Sequence, residues 1–220
     1  MPSCPHSSTR RANPKIQRDQ PGYIDTSVYV TPLDVPTRID RALGDQHPMG
    51  NPHINLDPVI AKDMVRAIAD GLARLDPTHE STYQANAEGV SSTKLDAAIA
   101  RWEKGAAPLQ GRSSSATIRT CSTLPSASAW SRWARSRSAP ESTRRRVTSR
   151  QLEEQMRREK VDVVVRELNY PAGLAETVAQ ATGAKLVELP VMAGGLPDTK
   201  DYISFVDYNV RTMLKAVQGG

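Results

Sequence analysis

Apolar positions change their spacing twice along this chain. Residues 1–55 are rich in Pro, Gly, Asp and Asn, and only TSVYVTPLDV (26–35) is β-prone, which predicts loops with a short strand or two. A helical period then begins. Asp57 is placed to cap it and Pro58 to occupy its first turn, where the missing N–H costs nothing. Val59, Ile60, Met64, Ile68 and Leu72 make one apolar stripe, ending near Leu75–Asp76 before Pro77. A second helix is predicted from about Thr78 to Gly105, with Tyr83, Leu95, Ile99 and Trp102 inward and Glu88–Lys94 partly exposed. Unbroken, it would span about 40 Å, long enough to bridge two lobes.

The last third alternates strands and helices. QLEEQMRREK (151–160) is helical, VDVVVREL (161–168) is a buried strand, PAGLAETVAQATGA (171–184) is a helix closed by Gly183, KLVELP (185–190) is a strand, and residues 201–217 form an amphipathic helix. Strands separated by helices of this length imply a parallel sheet, whose ligands gather at the carboxyl ends of the strands. Residues 112–150 fit neither period. They hold eleven Ser and nine Arg and read as a disordered basic linker of a length uncommon inside a compact domain.

Charge follows the same division. The 112–150 segment carries +8 of a chain whose net charge is only +5, so the remainder sums to −3. The basic character is therefore local and supports a nucleic-acid partner only weakly. Cys4 and Cys121 fit no CxxC spacing, and no structural disulfide is expected. The N-terminus MPSCPHSSTRRANPK lacks the apolar core of a signal peptide, and no run of 18 apolar residues suits a membrane span.

The chemistry lies in GDQHPMGNPHINLDP (44–58), which holds two of the four histidines between two glycines and three prolines. A stiff turn leading into a helix would aim an imidazole at low ordering cost, and borderline cations such as Zn²⁺ take imidazole and carboxylate ligands. A histidine in a turn is also commonly just solvated, so spacing alone leaves both roles open for His53. His47 suits a surface or supporting place, and His79, after Pro77, suits capping or exposure.

This motif, followed by PTHESTYQANAEG, resembles the metal-binding proteins of zinc and manganese ABC importers. NPKIQRDQPGYIDTSVYV, VPTRIDRALGD, Glu167 at a strand end and GGLPDTKDYISFVDYNV extend the likeness over residues 13–111 and 151–220. The resemblance implies an α/β fold of two lobes with parallel sheets joined by a long helix, the N-terminal lobe largely missing. By it, residues 13–77 are a remnant of the N-terminal lobe carrying the metal-site turn, 78–105 the linking helix and 106–220 the C-terminal lobe. It implies His53, Glu167 and Asp201 as metal ligands, although Asp201 could instead cap the last helix and Asp198 and Asp207 compete with it. It further implies a periplasmic or extracytoplasmic monomer that carries Zn²⁺ or Mn²⁺ to a membrane permease, with no catalysis and no nucleic acid.

The chain departs from the family near residue 117, where a Tyr-His-Lys strand end is expected and SSATIRTCS stands. Shifted codons across Ala116–Thr117, Thr117–Ile118 and Ile118–Arg119 permit Tyr, His and Lys, and Trp133–Ala134 must then give Gly. We therefore expect 112–150 to be a frameshifted segment and 1–12 to be out of frame or disordered, with the function impaired. The alternative is nucleic-acid binding through the Arg/Ser run. A zinc hydrolase fails for want of HExxH or a base beside a histidine pair.

Overall fold

Val163, Val164 and Val165 are all buried, and because successive strand side chains point to opposite faces, this run needs apolar cover on both sides. The computed structural model supplies it. The structure describes residues 13–32, 35, 48–50, 53–106, 114–116, 149–158 and 160–218. In chain order the elements are α1 (Ile60–Leu75), α2 (Glu80–Glu88), α3 (Asp96–Gly105), β1 (Ser114–Ala116), α4 (Ser149–Arg158), β2 (Val163–Glu167), α5 (Gly173–Thr182), β3 (Lys185–Leu189) and α6 (Tyr202–Gln218).

The described chain divides into two compact units, one of Met1–Val30 with Lys62–Lys94 and one of Thr31–Ala61 with Leu95–Gly220. The second contains a parallel sheet of order β1-β2-β3, with Ser114 opposite Val163, Val163 opposite Lys185 and Glu167 opposite Leu189. On one face Val163, Val165, Val187 and Leu189 meet Phe205, Val210 and Met213 of α6 and Trp102 of α3. On the other, Val164 meets Met156 of α4 and Val178 of α5. Each fully buried aliphatic side chain contributes about 1.5–3 kcal/mol relative to exposure. Gly183 closes α5 with φ 73°, the left-handed conformation that glycine adopts without a Cβ penalty. A polar clamp adds to the packing. Trp102 Nε1 donates to Asp207 Oδ1 at 2.5 Å, and Arg101 donates to both oxygens of Asp207.

The alternating rhythm of the last third is present as expected. One strand is new: Ser114–Ala116 lies inside the predicted linker yet pairs with β2. Residues 1–12 and 117–148, which hold both cysteines and the rest of the proposed frameshift, lie outside the described residues.

In the first unit, residues 13–30 are tied along α1. Arg74 donates to the carbonyls of Pro21 (2.6 Å) and Tyr23 (3.1 Å), and Tyr29 donates to Asp70 at 2.6 Å while its ring lies 4.4 Å beneath the Arg66 guanidinium. Ile24 packs so close to Gly71 that a Cβ there would come within 2.6 Å of it. The expected strand in 26–35 does not form among the described residues. Asp25 Oδ1 instead accepts from the backbone N and Oγ of Ser27, and Val30 N donates to Ser27 O, so local side-chain bonds override β propensity.

Two details of the helices also differ from expectation. Ile68, assigned to the inward stripe of α1, is 41 % exposed, and Ala67, Ala69 and Ala73 are buried instead. Between α2 and α3, Gly89–Leu95 is wound as a π-helix of seven residues. Gly, Ser, Thr and Val are weak α-helix formers, and Ser92 Oγ bonds the Glu88 carboxylate. No helix among the described residues is long and apolar enough to cross a membrane.

Candidate metal centre

His53 opens a short 3₁₀ turn, Ile54–Leu56, as its half-buried N-cap residue, and its ring does not cap that turn. The backbone closes tightly, with Leu56 N donating to His53 O at 3.1 Å and Asp57 N to Ile54 O at 3.2 Å. Upstream, Gly50 takes φ 91°, which a side-chain-bearing residue would resist. Downstream, Leu56 enters the core and Asp57 is fully buried, its Oδ1 accepting from Val59 N (2.8 Å) and Ile60 N (3.3 Å). Asp57 is thus the α1 cap that the sequence predicts. These anchors explain why the His53 turn belongs to the second unit, although the sequence groups it with 13–77.

Glu167 ends β2, half-buried, and desolvation alone raises its pKa above the ordinary carboxylate range. The adjacent Arg166 does not neutralise it. That guanidinium reaches across the sheet to Glu188, with Nε at 2.8 Å, and donates to Tyr170 O at 2.5 Å. Glu167 stands opposite Leu189, and Val191, two residues beyond, accepts a bond from Asn55 Nδ2 at 2.7 Å. The turn of His53 and the end of β2 therefore share the carboxyl edge of one parallel sheet, where such folds present ligands.

Asp201 is exposed and caps α6. Its Oδ1 accepts from Ser204 N (2.8 Å) and Ser204 Oγ (3.0 Å), while Asp201 N donates back to Ser204 Oγ. This reciprocal cap engages Oδ1 of Asp201, the capping role that the sequence offered beside metal ligation. Asp207 is committed to Trp102 and Arg101, and Asp198 is exposed. His79 is also exposed, with Nδ1 at 2.7 Å from Asp76 Oδ2, while His47 lies outside the described residues. No three or more His, Cys, Asp or Glu converge as a metal-binding group among the described residues. Sequence reasoning missed Asn55 and Ser204. Ser204, three residues after Asp201, was a readable capping signal, whereas nothing in the sequence pointed Asn55 toward residue 191.

The profile of the family described as zinc-uptake complex component A, periplasmic, matches residues 10–216. The chain belongs to this zinc-uptake component A family. That family consists of solute-binding components, not enzymes. Among solved structures, one titled as a crystal structure of ZnuA is 21 % identical with a TM-score of 0.63, the match covering 88 % of this chain and 69 % of that one. The Mn-bound periplasmic metal binding protein of Candidatus Liberibacter asiaticus is 18 % identical with a TM-score of 0.61, covering 88 % of this chain and 70 % of its own. The Cd-bound form of that protein is similar at 18 % identity, TM-score 0.60, over 87 % and 69 %. At these identities the likenesses establish the fold that this zinc-uptake component A member shares with them. No curated protein matches the chain.

Proposed function

We propose that this chain is the extracytoplasmic solute-binding component of an ABC importer for Zn²⁺ or Mn²⁺, holding its cargo at His53 and Glu167 and releasing it to a membrane permease. The observation that carries this assignment is the common sheet edge. One imidazole from a rigid turn and one half-buried carboxylate lie where a parallel α/β sheet offers ligands. Membership of a zinc-uptake family and Mn- and Cd-bound relatives of the same fold support a divalent cation as the cargo.

The carboxylate suits the task chemically. Burial makes the charged form of Glu167 costly, and a divalent cation relieves that cost by replacing the proton. Zinc takes four ligands in closed sites, so the two donors named here bind more weakly than a full protein set. We take 112–150 to be read out of frame, which removes donors that an in-frame strand end would supply. Sequencing the gene together with peptide mass mapping tests this, and an intact single frame would refute it.

The deciding experiment is calorimetric titration of Zn²⁺ and Mn²⁺ into the full chain and its His53→Ala variant. The heat of site binding should disappear in the variant. Equal heats from both proteins would remove His53 from the site.

A further inference from the structure

The exit of β3 joins three elements through three consecutive carbonyls. Leu189 O accepts from the backbone N of Leu168, the residue after Glu167, at 3.3 Å. Pro190 O accepts from Asn209 Nδ2 of α6 at 3.2 Å. Val191 O accepts from Asn55 Nδ2 of the His53 turn at 2.7 Å. Neighbouring carbonyls thus hold the end of β2, one face of α6 and the turn that carries the imidazole.

The Asn55 bond is the part of this junction that reaches the turn. A carbonyl only accepts, so the amide must present its NH₂ group to Val191, and its orientation is chemically determined. The bond joins residues 136 positions apart and is partly buried, so competition from water is reduced. Leu56 in the core and the Asp57 cap hold the downstream side of the turn whether or not Asn55 is present.

We propose that Asn55 is a positioning residue for cation capture, setting the His53 turn against the β3 exit and so against the end of β2 that carries Glu167. This rests on the assignment of the cargo to His53 and Glu167. Asn55 does not touch the cation. It fixes the spacing between the two ligand-bearing backbones, as an outer-shell group does when its loss weakens metal binding about 10- to 100-fold.

The test compares wild type, His53→Ala and Asn55→Leu as full chains, each titrated with Zn²⁺ alone and with Co²⁺ alone. Leucine keeps the branched shape of Asn55 and removes the donor. Zinc affinity of Asn55→Leu should fall about tenfold or more. The Co²⁺ d–d bands should change in position or intensity, because the ligands no longer meet at the same angle, while far-UV dichroism of the metal-free protein is preserved. His53-dependent binding with unchanged affinity and an unchanged Co²⁺ spectrum in Asn55→Leu would overturn the positioning role and leave the site standing. Binding that ignores His53→Ala would remove the site and the positioning role together. Should Asn55→Leu fail to fold, Asn55→Ala is read by the same criteria, and loss of far-UV dichroism in both would make Asn55 a folding residue and overturn the proposal.

Discussion

Glu167 carries its burial penalty only when ionised, which makes its contribution depend on pH. Its folded pKa lies above its unfolded value, so the associated stability is fully present below the unfolded value and is lost as pH rises through the raised one. Glutamine cannot ionise. The metal-free Glu167→Gln variant should therefore melt with wild type in acid and above it at neutral pH, as thermal unfolding across that range would show. Equal melting at neutral pH would mean that the carboxylate is better solvated than its place at the strand end implies. At this scale the sequence was informative wherever a role depends on near neighbours. Asp57 caps α1 because Pro58 and the apolar run follow it, and Asp201 caps α6 because Ser204 lies three residues on. Asn55 was illegible, since its partner is 136 positions away.

Among the helices, the segment between α2 and α3 lends itself to a direct test. Gly89 has helical angles, φ −59° and ψ −35°, and a Cβ placed on it would meet nothing within 4 Å. Alanine restricts the unfolded chain and adds no clash, so Gly89→Ala should stabilise the protein by about 0.5–1 kcal/mol. Chemical denaturation would measure this, and a loss of stability would mean that the π-helical turn needs glycine for another reason. Element types were well predicted where a strong period runs for ten or more residues, as in α1, α5 and α6. The strand expected in 26–35 failed because the Asp25 carboxylate bonds Ser27 locally, an option that β propensity does not register. The inward face of α1 was misjudged at Ile68, which is exposed while Ala67, Ala69 and Ala73 are buried and Ile24 packs against Gly71.

For the molecule as a whole, the single phenylalanine is the test of the core. Phe205 is 1 % exposed and lies in the cluster between α6 and the sheet, so Phe205→Ala should cost about 3–5 kcal/mol through lost transfer energy and a cavity. Urea unfolding of the second unit would show it, and a loss well under that range would mean that this core collapses around the gap. The sequence by itself determined the α/β class, the parallel order of the C-terminal elements and the cap that follows the His53 turn. Each of these rests on periodicity or on bonds between residues a few positions apart, and such patterns are written in consecutive positions. Only the tertiary structure decided that Ser114–Ala116 joins the sheet, that the His53 turn packs with the C-terminal unit, and that Asn55 ties it to Val191. Those outcomes depend on which distant groups share the same buried space, and no local spacing encodes that.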